Sequence, residues 1–332
     1  MTAETAKRAV DYFLSRATRF ERVNWEFIGG EPLLEMDLIS EITEYIKDKS
    51  KGHRWEKAHT FAMTTNGTLL GDEKVRAYLL KDKCQKSVGI SLDGIKEIHD
   101  QNRDGSWDAV MANFAWWRAE FPWCTTKSTL NREALPYLFE SVRYLASLGL
   151  EQIFINPVHE IGWTDDDARC YYDQLVKVAD YLLDTGIYQS VHVSPFNEAC
   201  LKPGQEARGW CGCGTAMVMV DPQGSLYPCL RFYTGSRQWP IGDIFNGIET
   251  DRMTPFYFCH NEKTAECIDC PVRGKCPHCL GWDYECTGSI FTRSMNNCKM
   301  FKAQVAANRY FFRRLSELEA GVNIPFLENP AH

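Results

Sequence analysis

The clearest chemistry in this 332-residue sequence lies in its fourteen cysteines. Four of them follow one another with short spacers, as Cys267-x2-Cys270-x5-Cys276-x2-Cys279. Two-residue spacers allow neighbouring thiolates to converge on one centre, so this segment predicts a metal site. From the spacing alone, structural zinc and an iron-sulfur cluster are about equally good interpretations.

A second group of reactive side chains follows apolar, strand-like segments. Glu31 can accept from an ammonium group, and amide, hydroxyl and carboxylate side chains further along can hold hydroxyls or a carboxylate. Each motif taken alone is typical of a turn, but four of them at successive strand ends predict a shared pocket. The motif at residues 29–32 lacks the GxGxxG spacing of a dinucleotide site, which disfavours a nicotinamide enzyme. The candidate binding residues are Gly29, Gly30, Glu31, Pro32, Thr65, Asn66, Ser91, Asp93 and Asn156.

These residues need a scaffold of alternating strands and helices. Apolar positions at helical spacing predict a first helix over residues 2–18. Strict alternation of such helices with strongly apolar strands indicates a parallel sheet covered by helices, either a barrel or a doubly wound sheet. The predicted strands cover residues 23–29, 59–66, 87–93, 125–130 and 151–158.

The cysteines are unevenly distributed, with three before residue 200 and eleven from there to residue 298. This shift predicts a domain boundary near residues 190–205, where the segment 194–205 carries two prolines and a glycine and suits a linker. The predicted units are a β/α domain over residues 1–195, a cysteine-rich domain over 196–310 and a C-terminal tail over 311–332.

Composition excludes several classes of protein. A hydrophobic fraction of 44% supports a sizeable core, and a net charge of −7 argues against a nucleic-acid binder. No apolar run reaches the roughly 18 to 20 residues of a membrane span. The N-terminus lacks the layout of a secretory signal, so we expect a cytoplasmic protein, in which the cysteines bind metal instead of forming disulfides.

The motifs at residues 27–34, 64–70 and 91–103 together resemble the radical S-adenosylmethionine (SAM) barrel of the SPASM peptide maturases. The resemblance implies an α/β fold with a partial TIM-like (β/α)6 barrel that lacks its first strand, followed by a small irregular SPASM domain. It also implies SAM as cofactor, with Gly29, Gly30 and Glu31 at the methionyl amino group. By the same resemblance, Pro32, Thr65, Asn66, Ser91 and Asp93 lie close to SAM and Asn156 lies near the adenine.

The cysteine order resembles the SPASM pattern, which implies two auxiliary 4Fe-4S clusters. Two departures stand out: Cys279 follows a spacer of two residues where the family usually has three, and the nearby Cys286 is an alternative ligand. For the remaining cysteines we expect the role of small buried hydrophobes. The resemblance assigns Cys211, Cys213, Cys229 and Cys279 to the first cluster and Cys267, Cys270, Cys276 and Cys298 to the second.

The family's first strand ends in a CxxxCxxC loop for the cluster that cleaves SAM, and the sequence has no such motif. We therefore expect that the sequence is truncated at its N-terminus, that the SAM-cleaving cluster belongs to a full-length form, and that the chain as written is inactive. No catalytic residue is assigned.

The resemblance implies an enzyme that modifies a ribosomally made precursor peptide by 5′-deoxyadenosyl radical chemistry, leaving a thioether or another crosslink. Its expected partners are that peptide and an electron donor such as a flavodoxin or ferredoxin. A sulfatase maturase is the first alternative, although those enzymes have an Asp where this chain has Leu230. Further alternatives are a non-catalytic peptide-binding relative and a zinc-bound structural domain.

Overall fold

The computed structural model describes residues 1–16, 21–201, 211–259, 264–272 and 275–319. In the first half, six parallel strands form one sheet in chain order. They are β1 (Val23–Phe27), β2 (His59–Thr65), β3 (Lys86–Ser91), β4 (Thr126–Leu130), β5 (Gln152–Pro157) and β6 (His192–Val193). The predicted α/β fold with a parallel sheet is confirmed, and five strands begin and end within two residues of the predicted limits. The sixth was not predicted, because two residues are too short to show a period.

Helices connect these strands. They are α1 (Ala3–Leu14), α2 (Met36–Lys49), α3 (Glu73–Leu80), α4 (Lys96–Asn102), α5 (Trp107–Glu120), α6 (Leu138–Ser147) and α7 (Asp165–Asp184). The helix predicted over residues 2–18 is α1, whose first turn is capped by the Thr2 hydroxyl accepting from the Thr5 amide. Residues 17 and 18 of that prediction lie outside the described residues.

The two faces of the sheet differ in polarity. The face toward the helices is apolar, with Phe61, Val88 and Ile90 fully buried. Because successive side chains of a strand alternate between faces, the intervening residues project from the opposite face. That face carries Thr64, Ser91, Lys127, Thr129 and Asn156, which are half-buried or exposed. We call these five residues the polar face.

The second half builds a smaller unit around an antiparallel sheet with the order β10-β9-β8-β7. Its strands are β7 (Met219–Val220), β8 (Ser225–Tyr227), β9 (Gly242–Asp243) and β10 (Gly247–Ile248). Its helices are α8 (Arg231–Thr234), α9 (Thr250–Phe258), α10 (Ala265–Ile268), α11 (Leu280–Thr287) and α12 (Cys298–Leu318). Much of the rest is irregular, with cysteines in the loops between these short elements.

Helix α12 returns to the first domain and packs along α7. The rings of Phe196 and Phe311 stack with their centroids 4.6 Å apart, and the Tyr310 hydroxyl donates to Asp180 over 2.7 Å. The tail predicted over residues 311–332 therefore begins inside α12. Its residues 320–332, like residues 202–205 of the predicted linker, lie outside the described residues. In the described ranges, no helix combines the length and apolar character needed to cross a membrane.

Candidate functional site

The carboxylate of Glu31 joins the ends of the first two strands. It accepts from the Thr65 hydroxyl and the Asn66 amide, each over 2.7 Å, and from the Leu33 amide over 3.1 Å. A carboxylate offers about four acceptor positions, so these three bonds leave one for an ammonium group. Thr65 is itself 1% exposed, which means that it orients Glu31 and does not face open space.

The backbone beside Glu31 is open. Gly29 and Gly30 are exposed, and a Cβ built on either would meet no atom within 4 Å. Pro32 is buried and starts a short 3-10 helix at Pro32–Glu35, with its fixed φ suited to that first position. The segment thus presents bare backbone and one carboxylate at the carboxyl edge of the sheet, which is where parallel α/β folds bind ligands.

Asp93 is enclosed by hydrogen bonds. Its side chain is 0% exposed and accepts from Arg103 Nε over 2.7 Å, from Arg103 Nη2 over 3.0 Å and from the Thr129 amide over 2.8 Å. Arg103 keeps 25% of its side chain exposed and also donates to the Thr129 hydroxyl over 3.4 Å. Asp93 therefore holds the guanidinium in place, and Arg103 is the member of the pair that reaches the surface.

The polar face adds residues that the sequence prediction missed. Lys127 lies opposite Ser91 across β3 and β4 and donates to the Thr64 hydroxyl over 2.8 Å. Thr129 is paired with Asn156 across β4 and β5. The predicted residues Ser91 and Asn156 therefore share one face with a cation between them. The segment 125–130 is polar at every position before Leu130, so its sequence shows no alternation that could mark which face is open.

Three cysteines of the first predicted quartet lie near one another. Hydrogen bonding with Cys213 lowers the pKa of Cys211 to about 6 and the pKa of Cys229 to about 7, and the same interactions raise the pKa of Cys213. Cys279 lies close enough to interact electrostatically with Cys211 and Cys229, while burial raises its pKa. The thiolate is the ligand form of cysteine, and the shifted pKa values favour it at Cys211 and Cys229 but not at Cys213 and Cys279.

The second predicted quartet also assembles. Cys276 interacts electrostatically with the other three members, and Cys298 interacts with Cys267 and Cys270. Burial raises the pKa of Cys276 to about 12 and also raises the pKa of Cys298. All four thiols line one cavity, together with Cys279 of the first quartet and with His159, Trp282, Arg293 and Asn297. We call it the cysteine cavity.

No group of three or more His, Cys, Asp or Glu side chains in the described residues is arranged to hold a metal ion. A four-iron cluster makes a different demand, because each of its irons takes one thiolate and the sulfur atoms surround a larger body. Each quartet brings four thiols near one another, which is the number that such a cluster takes.

The other cysteines lie apart from these two groups or at their margin. Cys286 is exposed, whereas Cys279 interacts with the first quartet. Cys124 and Cys259 are buried as expected, but Cys84 is exposed because it lies in the surface turn before β3. The remaining two are partly buried: Cys170 in α7, and Cys200, which packs in the same apolar cluster as Cys270 and Cys276.

The loop after β5 connects the two domains. Glu160 forms an ion pair with Arg231 over 2.5 Å, and His159 Nδ1 lies 2.8 Å from Asn297 Nδ2. Arg231 follows Leu230 and Cys229, and its guanidinium carbon lies 5.3 Å from the centroid of the Trp282 ring. The first quartet is thereby attached to the carboxyl edge of the parallel sheet.

Residues 1–133 match the family model of the Radical SAM superfamily. Among curated relatives, an uncharacterized protein MJ0907 from Methanocaldococcus jannaschii is 32% identical over 46% of this chain and 51% of that protein. The radical SAM cyclopropyl synthase TigE from Paramaledivibacter caminithermalis is 21% identical over 97% of this chain and 66% of that protein. The chain thus spans less than two thirds of both relatives.

A cysteine-type anaerobic sulfatase-maturating enzyme from Clostridium perfringens is 26% identical over 77% of this chain and 74% of that protein. Among solved structures, native anSMEcpe with bound AdoMet gives a TM-score of 0.75 at 20% identity and covers 96% of this chain and 90% of that chain. The structure of Streptococcus suis SuiB bound to precursor peptide SuiA gives a TM-score of 0.59 at 14% identity, and the match covers 89% of this chain and 68% of that chain. At these identities the two structures show a shared fold.

Proposed function

We propose that the chain acts on a ribosomally made precursor peptide, because residues 1–133 match the Radical SAM superfamily and the chain resembles SPASM-type radical SAM maturases. The observation that carries this proposal is the assembly of two cysteine quartets beside a sheet whose carboxyl edge presents Glu31 and bare glycine backbone. In a form that also carries the CxxxCxxC loop, SAM held at this edge would supply 5′-deoxyadenosyl radical chemistry for a thioether or another crosslink in the peptide.

In this proposal the chain's own residues bind and orient. Glu31 accepts the methionyl ammonium of SAM at its remaining acceptor position, and Gly29 and Gly30 allow the ligand to approach the backbone. Arg103, fixed by Asp93, and Lys127 place two cations beside the polar face, where carboxylates of SAM or of the peptide are recognised. Asn66, Ser91 and Asn156 line the same edge.

Each quartet is proposed to hold one auxiliary 4Fe-4S cluster, with Cys279 and not Cys286 as the fourth ligand of the first. The two clusters together contribute about eight irons per chain. A flavodoxin or ferredoxin in the cytoplasm is the proposed electron donor. The sequence contains no CxxxCxxC, so the 332-residue chain is expected to bind SAM without cleaving it.

The SAM site is tested by replacing Glu31 with glutamine. Losing a charge-assisted hydrogen bond of about 1.5–3 kcal/mol should weaken SAM binding about ten- to a hundredfold in anaerobic calorimetry. Glu35→Gln is the matched control, because Glu35 is exposed in the same short helix and caps nothing. Equal SAM affinity of Glu31→Gln and wild type would contradict the proposed site.

The peptide activity is tested with short precursor peptides encoded beside the gene. We expect the chain to bind one of them and a form that also carries a CxxxCxxC loop to change its mass while releasing 5′-deoxyadenosine. Binding of a peptide with no mass change in that form would favour the non-catalytic relative. A colourless protein that contains zinc and no iron would favour the structural zinc domain.

Sulfatase maturation remains the second candidate, because the C. perfringens relative aligns over most of both chains. Against it, Leu230 follows Cys229 where the resemblance places an Asp, and the next residue, Arg231, is paired with Glu160. Modification of a sulfatase peptide in the same assay, with no change in precursor peptides, would favour this candidate.

A further inference from the structure

The cysteine cavity contains a hydrogen-bond donor with nothing to donate to. The indole nitrogen Nε1 of Trp282 is buried and has no hydrogen-bond partner among the described residues. Trp282 lines the cavity together with all four thiols of the second quartet. Buried N–H groups are almost always paired, so a donor left open beside four thiols indicates an acceptor that belongs in the cavity.

The position of the indole is fixed by its helix and by one neighbouring side chain. Trp282 lies in the first turn of α11, three residues after the N-cap residue Cys279. The Arg231 guanidinium lies 5.3 Å from the ring centroid, and its side chain packs against Gly281, where an added Cβ would come within 2.9 Å of Arg231 Cβ. Trp282 therefore follows Cys279 of the first quartet by one helical turn and lines the cavity that holds the second quartet.

Charged groups of both signs line the cavity, and its buried carboxylate, Asp283, is already paired with His278 over 2.6 Å. Arg293 lines the cavity and acts electrostatically on both Cys276 and Cys298. An iron-sulfur cluster with four thiolates is anionic, and its sulfur atoms accept hydrogen bonds that raise its reduction potential. A fixed N–H donor and a nearby guanidinium are the groups that such a cofactor needs from its surroundings.

We propose that the indole N–H of Trp282 donates a hydrogen bond to a sulfur of the cluster held by Cys267, Cys270, Cys276 and Cys298, and that this bond sets the reduction potential of that cluster above the value it would otherwise have. The inference rests on the proposed presence of the clusters. It assigns to Trp282 the role of tuning the cofactor.

The test replaces Trp282 with phenylalanine, which keeps a ring in place and removes the N–H. Trp239→Phe is the matched control, because the Trp239 indole lies in the same domain and already donates to the Arg252 carbonyl over 3.2 Å. Potentials are read from EPR-monitored redox titrations of the anaerobically purified chain. The signal of the second cluster is identified as the one altered by Cys298→Ser.

We expect the potential of the second cluster to fall in Trp282→Phe and to remain unchanged in Trp239→Phe, with equal iron content in all three proteins. In protein labelled with 15N-indole tryptophan, the reduced second cluster should show a 15N coupling by electron-nuclear double resonance in wild type and Trp239→Phe. That coupling should vanish in Trp282→Phe.

An unchanged potential in an iron-replete Trp282→Phe would overturn the proposal, and so would an absent 15N coupling in wild type. Either result would mean that the indole meets another acceptor, such as the unpaired Asn297 Oδ1 through a bridging water. If the Trp282→Phe variant does not incorporate its clusters, the presence or absence of the 15N coupling in wild type alone tests the proposed hydrogen bond. Wild-type protein without iron would overturn the proposed function as well, which distinguishes that failure from the failure of this inference.

Discussion

Replacing Asp93 with asparagine should destabilise the protein, because the side chain is completely enclosed by donors. Oδ1 accepts from Arg103 Nη2 and the Thr129 amide, and Oδ2 accepts from Arg103 Nε and, over 3.4 Å, from Asn102. Whichever way the asparagine amide is turned, its NH2 group faces two of these donors. The substitution therefore leaves a guanidinium without its counter-charge and N–H groups without acceptors.

The size of the effect follows from the exposure of the two partners. Removing one member of a buried ion pair costs about 3–5 kcal/mol. Arg103 retains 25% exposure, so water screens part of its charge and we expect about 3 kcal/mol, at the lower end of that range. SAM binding should weaken in parallel, because Arg103 and the β4 backbone at Thr129 are no longer fixed.

The assay is anaerobic denaturant unfolding of a double-mutant cycle with Asp93→Asn, Arg103→Gln and the double variant. The double variant should cost about 1–2 kcal/mol less than the sum of the single variants, since the unpaired guanidinium is gone. Asp48→Asn, which breaks the exposed pair with Lys51, should leave stability unchanged. An Asp93→Asn variant that loses less than about 1 kcal/mol, or strict additivity in the cycle, would refute the argument.

Three further outcomes are expected. Burial lowers the pKa of Lys86 to about 8 from 10.5, so the folded state binds fewer protons than the unfolded state between these pH values. The free energy of unfolding of wild type should therefore rise with pH across that window, and this rise should be missing in Lys86→Met. Denaturant unfolding at several pH values measures both. Cys279→Ala should remove about half of the roughly eight irons in an iron assay, while Cys286→Ala removes none; the reverse result would reassign the ligand. Gly94→Ala should lower the free energy of unfolding by about 3 kcal/mol or more. The reasons are that φ of Gly94 is +113° and that the new Cβ would lie 2.2 Å from the Ser141 side chain. A variant as stable as wild type would show that the backbone can move there.

The sequence determined the strands and their order of appearance. One face of the sheet is buried against helices, so apolar residues such as Phe61 and Ile90 recur along the strands. This recurrence is a local pattern that can be read from the sequence. The spacing of the cysteines likewise indicated metal binding, because short spacers restrict where neighbouring thiols can lie. The fold also brings thiols of each assigned quartet near one another, while their role as cluster ligands stays a prediction.

Tertiary structure decided what each polar residue faces. Asp93 and Glu31 both follow strands, yet one is enclosed by Arg103 while the other retains an open acceptor position, because helix α4 covers only the first. Lys127 was not selected from the sequence, since its role depends on which face of β4 is open. The orphaned indole of Trp282 could not be predicted either. Spacing along the chain limits the distance only between residues that are close in sequence. How separate elements pack decides which residues meet, as for Arg231, Trp282 and the second quartet.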